Sequence, residues 1–252
     1  MWSVSVFLLA CVAVPCTAYK QKRIIGGSSA TSAEFPYMGS LQEFIDGEWE
    51  HICGCMAYTT TKALTAAHCL DNASPSVYRL VFGTIDITNN EATAQISALT
   101  SFTKHPSFTS SSVGFSSDIA VLRLQTTLDT SSANVGTISL FSVPYDLTNT
   151  NCTVLGWGAL SNGVLPDVLQ SKNVTVTSQA ACDEDWSVLG VTINSETLCA
   201  TDEGFSERDS GGPLVCMEAL AGLVSFGGTC AATVLPNVYT SISFFNSWIQ
   251  GQ

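Results

Sequence analysis

Positive charge is scarce in this 252-residue chain. Nine Lys and Arg stand against 21 Asp and Glu, for a net charge of −12 with histidine neutral. Three of the nine, Lys20, Lys22 and Arg23, crowd one short segment near the start, which holds no acidic residue. The rest of the chain is therefore more acidic still. Such a surface disfavours nucleic acid and anionic lipid, and it would draw in basic substrates. Its plain consequence is solubility in an exported fluid. Long hydrophobic runs are also missing. Only Val4–Val14 is almost wholly apolar, and it is too short to cross a bilayer. No internal repeat, heptad or low-complexity segment occurs. Histidine is rare, with three residues in all.

The apolar run ends in Pro15-Cys16-Thr17-Ala18, small residues suited to signal cleavage after Ala18, although no Lys or Arg precedes the run. Residues 1–18 read as a secretory signal, so the product is expected outside the cell. Tyr19-Lys20-Gln21-Lys22-Arg23 follows, then Ile24-Ile25-Gly26-Gly27. A basic residue ahead of Ile-Ile-Gly-Gly resembles the activation site of peptidase zymogens, with residues 19–23 as the propeptide. Residues 24–252 then suffice for one all-β domain or two small packed barrels. Of ten cysteines, Cys11 and Cys16 leave with the signal. The other eight point to disulfides in an exported chain, with the pairing open from sequence.

Short β-type runs are punctuated by Gly, Pro, Asn and Ser. They are Tyr37–Phe44, Ala63–Ala67, Tyr78–Phe82, Ile119–Leu124, Cys152–Leu155, Leu214–Met217, Gly222–Phe226 and Val238–Ile242. This cadence suits an antiparallel sandwich or a pair of barrels. Near the end, Ile242, Phe245, Trp248 and Ile249 fall at helical spacing, which predicts a short terminal helix docking on the second barrel. The polar stretch Thr126–Asn151 is the best inter-barrel connection.

Three blocks carry chemistry. Nucleophilic attack by a hydroxyl needs an imidazole to take its proton and a carboxylate to orient that imidazole. His68 closes Leu64-Thr65-Ala66-Ala67-His68-Cys69, whereas His51 and His105 read as ordinary surface histidines. Asp118 heads the apolar run Ile119–Leu124, where a partly buried carboxylate needs a partner. Ser210 lies in Arg208-Asp209-Ser210-Gly211-Gly212-Pro213.

Thr-Ala-Ala-His-Cys, Asp-Ile-Ala-Val and Asp-Ser-Gly-Gly-Pro stand in the order His, Asp, Ser. With Gly156-Trp157-Gly158, Val224-Ser225-Phe226-Gly227 and Pro236-Asn237-Val238-Tyr239, they resemble the chymotrypsin-like serine peptidases over residues 24–252. The resemblance implies an all-β fold of two packed six-stranded antiparallel Greek-key barrels with a short C-terminal helix. It implies a monomeric serine endopeptidase with catalytic His68, Asp118 and Ser210. A trypsin-like protease would cut after Arg23, and the new Ile24 ammonium would pair with Asp209. Polypeptides would be substrates, and protein protease inhibitors possible partners. No cofactor is implied. Disulfides Cys53–Cys69, Cys152–Cys216 and Cys182–Cys199 follow by the same resemblance. Cys55 and Cys230 are left over, because Ser206 stands where the usual partner of Cys230 would be.

The implied substrate pocket comprises Gly204, Ser225, Gly227 and Asn237. With Gly rather than an acid at 204, it favours large apolar or aromatic side chains. A broad, collagenase-like preference comes next, and a register slip would bring Asp202 or Glu203 near. The oxyanion hole would use the backbone N–H of Arg208 and Ser210. The family has Gly where Arg208 stands. Either Arg208 only alters the rim, or its peptide flips and a donor is lost. The second case leaves open an impaired homologue acting as a secreted binding or decoy protein. Asn72 and Asn173 head plausible glycosylation sequons, and Asn151 heads another expected to be masked by its neighbouring cystine. Asp86 and Glu91 lie in a loop that binds calcium in some relatives, but two acids are ordinary solvated surface, so no metal is expected.

Overall fold

A computed structural model describes residues 27–89, 92–112, 114–142, 144–159, 164–201, 208–227, 229–230 and 233–252. Six strands form the first barrel: β1 (Met38–Ile45), β2 (Glu48–Thr59), β3 (Lys62–Thr65), β4 (Tyr78–Phe82), β5 (Gln95–Lys104) and β6 (Ala120–Leu124). Around the barrel they run β1-β2-β3-β6-β5-β4, with β4 returning to β1. The run β4-β1-β2-β3 is the Greek-key order. The second barrel uses β7 (Asn151–Gly156), β8 (Gln170–Thr177), β9 (Thr197–Thr201), β10 (Pro213–Cys216), β11 (Ala219–Phe226) and β12 (Asn237–Ser241). Its order is β7-β8-β9-β12-β11-β10, closed by β10 on β7, so adding six to each label maps one barrel onto the other. Both barrels are antiparallel. The connection after β6 lays Ser139–Leu140 parallel to Ala219–Leu220 before β7 begins.

Alternation explains how each strand serves two cores. In β6, Ala120, Leu122 and Leu124 fill the first barrel, while Val121 and the preceding Ile119 face the junction between barrels. In β2, Cys53, Cys55 and Ala57 point inward and Met56 points to the junction. Val154 of β7 enters the second barrel, and Leu155 returns to the junction. A period of two puts successive side chains on opposite faces, so a strand buried on both faces is apolar throughout. Hairpin chemistry is local. Asp46-Gly47 joins β1 to β2 with φ of 52° and 95°, the two positive values that a two-residue turn of this kind requires.

Helix α1 (Gln179–Ser187) is capped by Ser178, whose Oγ accepts from the Ala181 N–H. Helix α2 (Ile242–Gln250) matches the expected terminal helix, but its docking differs from expectation. Ile242, Phe245 and Ile249 enter the junction core rather than the second barrel alone. His105, just after β5, meets the Phe245 and Trp248 rings at 5.0 and 4.9 Å, and Lys62 Nζ donates to the Gln252 carbonyl. The apolar stripe of α2 is wide enough to seal both barrels. The three expected disulfides are present: Cys53–Cys69, Cys152–Cys216 and Cys182–Cys199. Cys55 is a free, buried thiol, and the Cys230 side chain lies outside the described residues.

Candidate active site

Asp118 is 2% exposed and sits where the chain enters β6. Its Oδ1 accepts from the His68 backbone N–H at 2.9 Å. Its Oδ2 meets His68 Nδ1 at 2.7 Å and accepts from Ser225 Oγ at 2.6 Å. Thr240 Oγ1 donates to the Asp118 carbonyl at 2.8 Å. The buried charge is thus satisfied by three donors. An ionised carboxylate can only accept, so Nδ1 carries a proton toward Asp118, and in the neutral ring Nε2 is left as an acceptor.

His68 comes out of β3 through a single 3₁₀ turn, Ala67–Cys69. An apolar strand was expected to run to Ala67, but it ends at Thr65 because the turn is needed to bring the His68 N–H onto Asp118. The Cys53–Cys69 bridge ties this turn to β2. Phe115 lies flat on the imidazole, with ring centroids 4.5 Å apart and planes 7° from parallel.

The turn bearing Ser210 is pressed onto the same wall. Gly54 N donates to the Ser210 carbonyl at 2.8 Å. Gly211, at φ 71°, has no room for a Cβ, which would lie 2.3 Å from Thr65 Oγ1 and 2.7 Å from the Gly54 carbonyl. On the other side, Gly211 N donates to Val224 O, and Val224 N donates to Gly212 O, beside Ser225. Both barrels therefore grip the turn, three residues from His68 on one side and one residue from Ser225 on the other. Ser210 Oγ makes no hydrogen bond to a described residue. Nucleophile–base contacts of this type commonly tighten only when substrate is bound.

Gly211 and Gly212 spend their N–H groups inside the protein, whereas those of Arg208 and Ser210 find no acceptor among the described residues. Arg208 adopts φ 76°. Its carbonyl faces His51 Nε2 at 3.0 Å, and its Nη1 donates to the His51 carbonyl at 3.2 Å. Nη2 lies 3.6 Å from Glu50 Oε2, with both side chains partly exposed. His51 is no surface histidine. It is 5% exposed and spans Ser40 Oγ, 2.7 Å from its Nδ1, and the Arg208 carbonyl. Burial first, and the nearby guanidinium second, lower its pKa to about 4. The surface expectation failed because β2 bends residue 51 inward at a register shift beside Leu41/Gln42.

Asp209 is wholly buried, and its Oδ1 accepts from Gly158 N at 2.8 Å. A Cβ on Gly156 or Gly158 would lie 1.9 or 2.2 Å from one of its oxygens, which explains the glycines on either side of Trp157. Arg23 and Ile24 lie outside the described residues, as do Gly204 and Ser206. Ser225, expected in the substrate pocket, commits its hydroxyl to Asp118 and is 4% exposed. Asn237 is buried at the head of β12, and Gly227 is partly exposed after β11. Asn72, Asn173 and Asn151 are all exposed, so the cystine does not mask Asn151. Asp86 Oδ1 is taken by the Thr88 and Asn89 N–H groups and the Thr88 hydroxyl, while Glu91 lies outside the described residues.

A profile described as Trypsin matches residues 24–249. The chain belongs to the trypsin family. It is similar to the chymotrypsin-like serine proteinase of Haliotis rufescens, 42% identical over 97% of both chains. It is also similar to trypsin-1 of Astacus astacus, at 36% over 90% of this chain and 98% of the relative. The fibrinolytic enzyme, isozyme C, of Lumbricus rubellus is 32% identical over 90% and 98%. Family and relatives support serine-protease activity on polypeptides. Among the described residues of this trypsin-family chain, no helix is long and apolar enough to cross a membrane. Ser225 and Thr240 were missed as supports of Asp118, because only the closed second barrel brings them there.

Proposed function

We propose that the chain is an exported serine endopeptidase with signal 1–18, propeptide 19–23 and peptidase domain 24–252. His68, Asp118 and Ser210 form its triad. One observation carries this reading: a buried Asp118 holds the Nδ1 side of His68 beside the Ser210 turn. Ser210 Oγ attacks the scissile carbonyl as His68 Nε2 takes its proton. Asp118 keeps the imidazole oriented and stabilises the imidazolium without itself taking the proton. The open N–H groups of Arg208 and Ser210 receive the oxyanion. His68 then protonates the leaving amine, an acyl-enzyme forms, and water releases it by the same steps in reverse roles.

The left-handed φ of 76° and the open N–H of Arg208 support the rim reading over the flipped peptide. The complete Asp118 network leaves the decoy reading without support. Cleavage after Arg23 by a trypsin-like protease would free the Ile24 ammonium to join Asp209. A buried carboxylate stripped of such a partner is destabilised by about 3–5 kcal/mol, which makes the pairing a suitable switch. Large apolar or aromatic residues before the scissile bond are the preferred substrates. Support comes from Gly204 in place of an acid and from the chymotrypsin-like name of the Haliotis relative. Protein inhibitors would occupy the same cleft.

The test is trypsin activation followed by a fluorophosphonate probe. Ser210 should label only after cleavage, and Asp118→Asn should lower kcat by about 10⁴. Acetylation of the Ile24 amine should abolish turnover. Substrates with Phe, Ala and Lys before the scissile bond would report specificity. An activated protein that leaves Ser210 unlabelled sinks the proposal.

A further inference from the structure

Glu196 stands immediately before β9, on the second barrel, yet its carboxylate serves the first. One oxygen, Oε2, accepts from the Ser117 N–H at 3.1 Å, from Ser117 Oγ at 3.2 Å and from Ser116 Oγ at 3.2 Å. Ser117 directly precedes Asp118 and adopts φ 49°, a left-handed conformation that a serine keeps only when its surroundings hold it. Glu196 is itself fixed. Its N–H donates to Asn194 Oδ1, and its carbonyl accepts from Ser241 N, both at 2.8 Å.

A second anchor lies alongside. Thr240, whose hydroxyl holds the Asp118 carbonyl, pairs across the sheet with Thr197, the residue after Glu196. Two neighbouring strands of the second barrel thus grip the backbone on both sides of Asp118. Hydrogen bonds to a charged acceptor are the stronger kind, and three of them converge here on one oxygen. His68 and Asp118 come from the first barrel, so their alignment depends on how that corner is seated.

We propose that Glu196 is a positioning residue for catalysis, holding Asp118 in register with His68 Nδ1 through Ser116 and Ser117. This rests on the triad reading given above. The ionisable groups around the corner are Asp118, His68, Glu196 and His105, whose pKa is lowered by burial and raised by Glu196. A displaced Asp118 would stabilise the His68 imidazolium less, and misplacement of a reacting group by about 1 Å is expensive in rate.

The test compares Glu196→Ala, Glu196→Gln and Ser117→Ala with the parent protein, each after activation and each normalised to fluorophosphonate-titrated Ser210. Glu196→Ala should lower kcat about 10–100-fold with KM changed less than about twofold. The acidic limb of its kcat/KM profile should move to lower pH. Glu196→Gln, which keeps an amide oxygen for the Ser117 N–H, should recover most of the rate and restore the limb. Ser117→Ala, missing one donor, should fall in the same direction by less. A Glu196→Ala enzyme with unchanged kcat and limb but a lower Tm overturns the proposal. Should Glu196→Ala not fold, unchanged kcat and limb in both other variants overturn it equally. Failure of the parent protein to label at Ser210 would instead overturn the triad reading.

Discussion

His51 shows how one side chain is decided by what surrounds it. In the folded protein it is locked between Ser40 and the Arg208 carbonyl, with its pKa lowered from 6.5 to about 4. Above pH 6.5 it is neutral in both folded and unfolded states, and nothing is lost. Between pH 6.5 and 4 the unfolded state takes up a proton that the folded state refuses, so stability falls as pH falls. Each pKa unit corresponds to about 1.4 kcal/mol, which makes the full loss about 3 kcal/mol by pH 4. Urea unfolding from pH 7 to 4 should show this slope, and NMR should place the His51 midpoint near 4. An imidazole titrating near 6.5 would contradict the buried arrangement.

The Ser210 turn is an element in its own right. It carries two residues in left-handed conformation, Arg208 at φ 76° and Gly211 at φ 71°. For Gly211 the glycine is obligatory, since any Cβ would strike Thr65 and Gly54. For Arg208 the conformation costs roughly 1–3 kcal/mol, and its exposed contact with Glu50 returns little. Arg208→Gly should therefore raise stability by about 1 kcal/mol in urea melts, while turnover of small substrates changes only a few-fold. A gain of about 10² or more in turnover would mean that the N–H of Arg208 is not in place to begin with.

Elements differed in how legible they were. Tyr78–Phe82 was read to the residue because it is short, apolar and flanked by turns. Four barrel strands and α1 were not singled out. Gln95–Lys104 and Gln170–Thr177 mix polar with apolar residues because one face of each is more open to solvent, Glu48–Thr59 starts on polar residues before its buried middle, and Thr197–Thr201 is short and polar at both ends. Their pairing partners, rather than their own composition, make them strands.

At the scale of the whole molecule, the scarcity of positive charge acquires a location. After Ile24 only six basic residues remain. Arg79, Arg123 and Lys172 lie inside barrel strands and Lys62 and Lys104 at strand ends, each paired with a neighbouring strand. The sixth, Arg208, has its carbonyl held by His51 and precedes the buried Asp209. A protease needs several residues of extended, unpaired chain, which a barrel strand supplies only by local unfolding. Prolonged treatment of the native chain with a Lys/Arg-specific protease should therefore cut only before Ile24, as read by intact mass. Comparably fast cleavage after Lys104 or Lys172 would disprove this.

Some of this protein was settled by sequence alone. Family, chemistry class and the three triad candidates were readable because each rests on a few contiguous residues whose chemistry tolerates little change, and the disulfide set followed only from the resemblance to that family. Tertiary structure decided the rest. Whether His51 is buried, that the Ser225 hydroxyl serves Asp118, that α2 seals both barrels and that Glu196 reaches the corner before Asp118 all depend on residues far apart in the chain. Closing two barrels against each other brings these groups within hydrogen-bond range, and no local pattern along the chain records that closure.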